Sequence, residues 1–420
     1  MAAALKSRLT SLPAKLVKDQ CYRKKKYRLA VLVSHPIQYQ AAFWRKLAQH
    51  PQIDLTVYFC SDYGVTEKVD PGFGVMFKWD IPLLQGYGYK FLQNHSPKPG
   101  LNGFWGMVNL GIVKELFENR YDALFVHSYA YATHLLAILA ARLKGIKVLV
   151  RSESNLLVKC SLRRRLLKRL FLPLFFQLMN GFMVIGWLNH QYYKHYCASR
   201  KKIYLLPYSV DNEWFFAQRD LHLPHRQELK EGLGISANAK VILCAAKFLK
   251  RKRLMDLIQA FEWLGLPSVV LVIVGDGEEK PVCERYVKTR KLRGVHFVGF
   301  KNQSELPQFY VVADVFVLPS EDEPWGLVLN EAMCFGLPVI ATDQVGAAYD
   351  LIKHGMNGFV YQVGKIEGLK DYLEIVLKDQ ELRRKMGKAS LELIEGWGYE
   401  ENLEGMLEGI KEGSVLVRKG

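Results

Sequence analysis

The sequence predicts an α/β protein of two doubly wound domains, each with a parallel β-sheet, whose sheets face a central cleft. Short apolar runs typical of strands alternate with longer runs typical of helices. The alternation occurs twice, on either side of a polar interval at residues 211–239. The chain has 420 residues, more than one hydrophobic core usually serves, because single cores stop growing near roughly 250 to 300 residues.

The first alternating series predicts a domain over residues 28–210, preceded by a basic extension at residues 1–27. Its strand-like runs are LAVLVS, IDLTVYFC, ALFVHS, KVLVRSE, FMVIG and IYLLPYSV. A Gly-rich, aromatic region at residues 64–111 separates the second run from the third. Residues 211–239 contain no clear strand, so we expect them to form the linker.

The second series predicts a domain over residues 240–395. Its strand-like runs are VILCAAKF, VVLVIVGDG, VHFVGF, VFVLPS, PVIATD and GFVYQV. Residues 396–420 are expected to contain a C-terminal helix that crosses back over the linker. Ligand sites prefer the cleft between two such domains.

The formal net charge of +17 predicts an anionic partner or surface, such as nucleic acid, anionic lipid or a phosphorylated substrate. The seven cysteines are scattered and never form a C-x-x-C pair, so we expect a reducing cytoplasm and no disulfide or zinc site. No apolar run reaches the roughly 18 to 20 residues of a spanning helix, because residues 166–188 are interrupted by charged and polar residues. The sequence therefore predicts a soluble or membrane-peripheral protein.

Two basic segments allow alternatives. The N-terminal extension is either a disordered leader, which we favour, or a helix on a membrane surface. The run RRRLLKR at residues 163–169 is followed by LFLPLFF. This helix either packs on its own domain, which we favour, or contacts anionic lipid.

Two glutamates in the stretch SEDEPWGLVLNEAMCFG stand out by their spacing. Glu323 is expected at the carboxyl end of a strand and Glu331 about two turns into the following helix, up to about 12 Å away. That distance is too long for one shared proton or metal, and it suits the two ends of an elongated ligand. Free amides at Trp325, Gly326 and Leu327 would attract an anion at the helix start. An ordinary helix with one solvated glutamate is the alternative.

Basic side chains follow the first strand of the second domain in AAKFLKRKR. Lys247 and Lys252 would stabilise a leaving phosphate beside a helix N-terminus, and a solvated basic loop is the alternative. Turns at Gly275 and Gly277, and at Gly346, permit close backbone approach, although a capped helix explains Gly346 equally well.

The first domain offers candidates at the ends of three strands. His35 and Gln38 lie in SHPIQYQ, His127 in FVHS, and Arg151 and Glu153 in VRSES. A single histidine in such a position is more often structural than catalytic, but several at successive strand ends favour a site.

Several spaced motifs of the second domain occur together and in order: AAKFLKRKRLMDLIQAF, VGDGEE, VHFVGF to ADVFVLPS, EPWGLVLNEAMCFGLPVIATDQVGAAYDLI and NGFV. They resemble the nucleotide-sugar domain of family 4 of the retaining glycosyltransferases, which have the GT-B fold of two Rossmann-like domains. The resemblance covers residues 240 to about 377. The first domain is similar only in pattern, through YDALFVHS, LVRSES and LLPYSVDNEWF.

The resemblance implies a role for each motif residue in the donor site. Glu323 would meet the sugar hydroxyls and Glu331 the ribose hydroxyls, while amides near Gly326 meet the sugar and phosphates. Lys247, where the family usually has Arg, and Lys252 would neutralise the diphosphate. Further residues implied are Gly299 and Phe300 at the nucleobase, and His127 beside the sugar and acceptor.

Two departures from the family concern the acceptor side. A double-glycine loop that many members carry after the first strand is replaced here by PIQY, and Arg151-Ser152-Glu153 occupies the place of an acceptor loop that is often aromatic or contains His. The acceptor is therefore expected to be unusual.

We expect a retaining, metal-independent glycosyltransferase that needs no cofactor beyond its nucleotide-diphosphate sugar substrate. The acceptor would bind the first domain and is expected to be a glycan, a lipid-linked molecule or a small molecule. An anionic membrane surface is a further expected partner. Alternatives are a nucleotide-sugar epimerase or hydrolase of the same fold, and a non-catalytic basic binding protein. Because the donor-site residues are all present, we do not expect nucleic acid to be the partner.

Overall fold

The computed structural model describes residues 25–70, 74, 76–158, 161–196 and 203–411. Residues 1–24, most of the predicted basic extension, lie outside this part of the chain, so both interpretations of that extension stay predictions. The described residues form two parallel sheets with apolar clusters on both faces of each. This confirms the predicted α/β fold of two doubly wound domains.

The first sheet contains six strands that coincide with predicted runs and one that does not. Its strands are β1 (Tyr27–Val33), β2 (Ile53–Phe59), β5 (Gly88–Phe91), β6 (Ala123–His127), β7 (Lys147–Arg151), β8 (Gly181–Val184) and β9 (Ile203–Leu205). Their order is β5-β2-β1-β6-β7-β8-β9, with parallel pairing throughout. β5 and the small antiparallel pair β3 (Lys68–Val69) and β4 (Met76–Phe77) arise in the Gly-rich region, where no apolar run announces a strand.

Helices cover both faces of this sheet. They are α1 (Gln38–Gln49), α2 (Gly111–Glu118), α3 (Ala132–Leu143), α4 (Leu162–Phe175) and α5 (Trp187–Tyr196). Ile112 of α2, Ile138 of α3 and Leu172 of α4 join one apolar cluster, while Phe43 and Leu47 of α1 join the cluster on the opposite face.

Most of α4 does not pack on its own domain. Leu172 and Phe175 are buried, but the other apolar side chains of the helix are exposed. The packing interpretation that we favoured therefore holds only for the last turn of α4.

The interval predicted as a linker is helical. It contains α6 (Asn212–His222), a short 3-10 helix (Leu223–His225) and α7 (Arg226–Gly232). The Asp211 side chain accepts a hydrogen bond from the Trp214 amide at 3.1 Å and so caps α6. Arg226 donates to the Val311 carbonyl at 2.9 Å and to Asp314 at 3.1 Å, which fixes α7 against the second domain.

The strands of the second sheet all coincide with predicted runs. They are β10 (Lys240–Ala245), β11 (Val269–Val274), β12 (Val295–Gly299), β13 (Val315–Leu318), β14 (Val339–Thr342) and β15 (Gly358–Tyr361), in the parallel order β12-β11-β10-β13-β14-β15. The helices are α8 (Leu254–Leu264), α9 (Lys280–Thr289), α10 (Leu306–Val312), α11 (Leu327–Cys334), α12 (Ala348–Leu351), α13 (Ile366–Lys378) and α14 (Gln380–Glu395).

The last described helix, α15 (Tyr399–Lys411), lies against the first sheet although it follows the second domain. A Cβ atom on Gly405 would lie 1.8 Å from the Leu205 carbonyl oxygen, so only glycine allows this close approach. The Lys147 ammonium donates to the carbonyls of Gly409 and Ile410 at 2.9 and 2.8 Å, near the helix end. The C-terminal helix thus ties the two domains together.

The strand order of each sheet determines where a ligand can bind. β1 lies between β2 and β6, and β10 lies between β11 and β13, so the order reverses at these strands. Ligands of open α/β sheets bind at such reversal points, outside the carboxyl ends of the strands. The loops that follow β1, β10 and β13 are therefore the ones expected to form the site.

Candidate active site

A cleft of about 400 Å³ lies between the two domains at these strand ends. Both domains supply polar side chains to its wall. Those from the first domain include His35, Gln38, Tyr39, Tyr63 and Asp70, and those from the second include Lys247, Arg251, Lys252, Lys301, Glu323 and Glu331.

Lys252 and Glu323 form an ion pair in the cleft. The Lys252 ammonium, in a 3-10 turn after β10, donates to Oε2 of Glu323 in the loop after β13. The two side chains are only 12% and 14% exposed. The Glu323 backbone carbonyl accepts from the Gly346 amide at 2.9 Å, which fixes the loop. A carboxylate that can bind hydroxyls therefore lies beside a cation that can bind a phosphate.

Lys247 is held by a residue of the first domain that the sequence did not indicate. Its ammonium donates to Oδ1 of Asp70 at 2.7 Å, while the Tyr63 hydroxyl donates to Oδ2 at 2.6 Å. Asp70 is 6% exposed. The two predicted lysines thus lie in the same cleft, one paired within its own domain and one paired across the domains.

Glu331 is fully buried between two tyrosines. Tyr39 of α1 donates to its Oε1 at 2.6 Å, and Tyr310 of α10 donates to its Oε2 at 2.5 Å. Burial raises the pKa of Glu331 to about 7, although the two hydrogen bonds partly oppose that shift. Because Tyr39 belongs to the first domain, this contact closes one end of the cleft, and both carboxylate oxygens already have partners.

The first turn of α11 faces the cleft through its backbone. Gly326 precedes the helix with φ of +99°, where an L side chain is strained, and its added Cβ would lie 2.7 Å from Leu318. Leu327 lines the cleft. The indole of Trp325 instead belongs to the core, where it stacks on Trp397 with ring centroids 5.7 Å apart. Only the backbone of Trp325 can fill the predicted ligand role.

The predicted glycines are needed for different structural reasons, either close approach of a neighbouring loop or a positive φ angle. A Cβ on Gly275 would lie 2.0 Å from the Ala246 carbonyl oxygen, and one on Gly346 would lie 1.9 Å from the Pro324 carbonyl oxygen. Both are therefore required by neighbouring loops, although Gly275 also lines the cleft. Gly277 has φ of +144°. Gly299 has φ of +74° at the end of β12, and Phe300 after it lines the cleft.

His35 and Gln38 lie in the cleft wall, as predicted from their position after β1. His35 Nδ1 lies 2.9 Å from the Ser34 hydroxyl, and burial lowers the pKa of His35 to about 4. Its imidazole is therefore neutral near neutral pH and can accept or donate a hydrogen bond.

His127, Arg151 and Glu153 do not line the cleft. Nδ1 of His127 is 2.5 Å from Nε2 of Gln40, and burial together with the nearby Arg151 lowers the pKa of His127. Arg151 stacks 4.4 Å from the ring centroid of Tyr208, whose hydroxyl donates to Glu153 at 2.8 Å. Burial raises the pKa of Glu153.

These three residues follow strand ends as expected, but their side chains contact other side chains outside the cleft wall. Arg151, which is 5% exposed, and Glu153 contact Tyr208, and His127 lies beside Gln40. Their catalytic and acceptor-side roles stay predictions. Strand-end position in the sequence does not reveal which way a side chain turns.

A second, larger cavity of about 1,100 Å³ opens beside the cleft. It shares His35, Tyr63, Asp70 and Lys247 with the cleft wall. Its other wall residues come from the Gly-rich region and its flanks, among them Asp62, Phe91, Asn94, Lys98, Leu101, Asn102 and Met107. The unusual aromatic and glycine content of that region was the only sequence signal for it.

Metal and membrane features were searched over the described residues. Within them, no group of three or more His, Cys, Asp or Glu side chains could hold a metal ion. The helices of that part of the chain include none long and apolar enough to cross a bilayer.

Residues 225–392 match the family described as "Glycosyl transferases group 1". The chain is 34% identical over 189 residues to N-acetyl-alpha-D-glucosaminyl L-malate synthase of Bacillus anthracis, covering 44% of this chain and 48% of the relative. It is 29% identical over 223 residues to alpha-monoglucosyldiacylglycerol synthase of Acholeplasma laidlawii, covering 48% of this chain and 55% of the relative. These matches span about half the length of each relative.

Two solved structures share the overall fold at low sequence identity. A glycosyltransferase from Rickettsia africae superposes with a TM-score of 0.71 at 15% identity, covering 92% of this chain and 98% of that chain. Anabaena HepE in complex with UDP and glucose superposes with a TM-score of 0.68 at 15% identity, covering 92% of this chain and 100% of that chain. The predicted GT-B arrangement of two Rossmann-like domains is confirmed, and residues 225–392 are similar to the group 1 glycosyl transferases.

Proposed function

We propose that the chain transfers a sugar from a nucleotide-diphosphate sugar to an acceptor bound against the first domain. The observation that carries this proposal is the Lys252–Glu323 ion pair in the interdomain cleft, within a group 1 glycosyl transferase domain. Neighbours of the same fold whose structures contain UDP or UDP and glucose support a nucleotide-sugar donor.

The ion pair suggests how the donor binds. A diphosphate that enters the cleft supplies a second anion for Lys252, so Glu323 becomes available to the sugar hydroxyls. Lys247 and the amides near Gly326 add positive potential where charge develops on the departing phosphate. Two fixed cations can take the part that a divalent ion plays in other transferases, so we infer a metal-independent reaction without a separate cofactor.

The finer features of the reaction belong to the same proposal. We infer retention of the anomeric configuration, as the resemblance to family 4 implies. Ribose hydroxyls would bind Glu331 once Tyr39 releases Oε1, and the cavity of about 1,100 Å³ that shares Asp70 with the cleft would hold the acceptor. Buried free thiols at Cys60, Cys244 and Cys283 support a reducing cytoplasm as its place of action.

The experiment is a thermal-shift panel of UDP, GDP and ADP sugars on the full chain, followed by NMR of the product. A ligand of the native state present at about 100 times its Kd raises stability by about 2.7 kcal/mol, so the donor should raise the melting temperature and a sugar without nucleotide should not. An axial or equatorial anomeric proton, compared with the donor, then reports retention or inversion. Consumption of the donor without acceptor would favour the hydrolase or epimerase alternative, and no shift with any nucleotide sugar would contradict the proposal.

A further inference from the structure

Helix α4 has a sequence that suits an interface between water and an apolar phase. Its residues LRRRLLKRLFLPLF contain five cations and no acidic side chain. Ser161 caps its N-terminus by accepting from the Arg164 amide at 3.4 Å. Ordinary surface helices of globular proteins place their apolar residues inward, so the exposure of this helix needs a physical account.

The apolar side chains of α4 point away from the domain. Six of them are 59% to 75% exposed, namely Leu162, Leu166, Leu167, Leu170, Phe171 and Leu174. At 3.6 residues per turn, they occupy an arc of about 180° on the helix. Leu172 and Phe175, which attach the helix to its domain, lie on roughly the opposite side.

The attachment of α4 is well defined at its C-terminal end. Phe175 packs against Tyr129 with ring centroids 5.8 Å apart, and Phe171 stacks on Phe175 at 5.4 Å. Lys168 lies 6.0 Å from the ring centroid of Tyr192. The outward face is therefore presented by a helix that is fixed to its domain.

The cations of α4 are Arg163, Arg164, Arg165, Lys168 and Arg169, and within the described part of the chain none forms an ion pair with a carboxylate. At 3.6 residues per turn, Arg164 and Arg169 lie near the two edges of the apolar face, Arg163 lies within it near the start of the helix, and the other two lie toward the attached side. Unneutralised charges in and beside an apolar stripe complement a surface that is apolar inside and anionic outside. An acidic protein groove could meet the charges, but a stripe that spans half the helix circumference matches a plane better than a groove.

A neighbouring segment extends the same apolar character. Leu156 and Val158, just before α4 in the chain, are 46% and 49% exposed. The 14 residues of α4 span about 21 Å, shorter than the roughly 30 Å of a bilayer core, so the helix can lie on a membrane but cannot cross one.

We propose that α4 docks the first domain on a bilayer that contains anionic lipid, with its leucine stripe among the acyl chains and its arginines at the headgroups. This surface is separate from the donor cleft, since no residue of α4 lines that cleft. The proposal therefore adds a place of action to the proposed transfer and does not depend on it.

The test is co-sedimentation of the full chain with vesicles of phosphatidylcholine alone or of equal parts phosphatidylcholine and phosphatidylglycerol, at low salt. Wild type should sediment with the anionic vesicles and much less with the neutral ones. The variant L166S/L170S should bind roughly tenfold or more weakly, because two leucines leave the acyl region. The variant R163Q/R164Q/R169Q should bind on the order of 100-fold more weakly, because each cation near the surface contributes about fivefold.

Matched controls come from equally exposed positions elsewhere. L221S/L223S removes leucines that are 60% and 51% exposed on the linker helices, and R384Q/K385Q/K388Q removes three exposed cations of α14. Both controls should sediment like wild type. Failure of wild type to bind anionic vesicles would overturn the proposal and leave a protein partner as the occupant of this face. Wild-type binding by both α4 variants would also overturn it, because the basic N-terminal segment would then carry the attachment.

Discussion

The two walls of the cleft are built in different ways. The second domain supplies Lys247, Lys252 and Glu323 from the turns directly after β10 and β13, so its part of the site follows from local sequence. The first domain supplies Tyr63 and Asp70 from a long irregular segment, while the strand-end residues Arg151 and Glu153 contact Tyr208 outside the cleft wall. Short strand-turn-helix units reveal their site residues in the sequence, whereas a long connection reveals them only after folding.

The largest effect on activity should come from the cleft wall that the second domain supplies. We expect Lys252→Ala to lower kcat/KM for the proposed transfer by on the order of 1,000-fold, because it removes the buried cation that would stabilise the departing phosphate. Lys250→Ala, which removes an exposed cation from the same 3-10 turn, is the control and should change kcat/KM little. Steady-state kinetics of the two variants tests this expectation, and their thermal unfolding midpoints show whether both are folded. Near wild-type turnover in Lys252→Ala would contradict the proposed role of this lysine and the larger effect expected from the second domain's wall.

A smaller effect should come from the bond that joins the walls. Asp70→Asn leaves Lys247 without its carboxylate, so we expect kcat/KM to fall roughly 10- to 100-fold as that ammonium loses its position. The matched change Glu67→Gln removes a carboxylate from an exposed position of the same loop. If both variants transfer sugar equally well, the contact between Asp70 and Lys247 has no part in the reaction.

The hydrogen bond from Tyr39 to Glu331 is the other contact between the two walls, and it can be tested by changing the pH. Burial raises the pKa of Glu331 from 4.5 to about 7, so over that interval the unfolded state releases a proton that the folded state retains. The stability from this group is thus present at low pH and falls by up to about 3 kcal/mol as pH rises toward 7, with no further change above.

Denaturant unfolding of wild type and Glu331→Gln at several pH values measures this difference. The variant should show a shallower loss of stability between about pH 5 and pH 7. Tyr39→Phe should raise the pKa of Glu331 further, because one hydrogen bond to the carboxylate is lost, and so extend the loss to higher pH. Parallel pH profiles of wild type and Glu331→Gln would contradict the assignment.

The smallest effect should come from a strand-end residue of the first domain. Arg151→Met replaces a 5% exposed guanidinium that stacks on Tyr208. We therefore expect transfer kinetics within about threefold of wild type, and we expect the main effect of the substitution to be a change in the free energy of unfolding. Steady-state kinetics at saturating donor checks this. A loss of turnover as large as that of Lys252→Ala would show that the acceptor contacts this interior position and that the strand-end prediction was right.

Several features followed from the sequence alone. The second sheet, most of the first sheet and the placement of Lys252, Glu323 and Glu331 at one cleft edge were all predicted from apolar runs and from the residues after them. Such features depend on periodicity and on neighbours within a few residues, which the order of amino acids records directly.

The tertiary structure decided the rest. Asp70 meets Lys247 across 177 positions, Tyr39 meets Glu331 across 292, and the outward turn of the α4 leucines depends on which side of the helix Leu172 and Phe175 attach. In each of these three cases the local segment could face in more than one direction. The direction it takes is determined by packing and pairing between residues far apart in the chain, so the composition and spacing of one segment do not predict it.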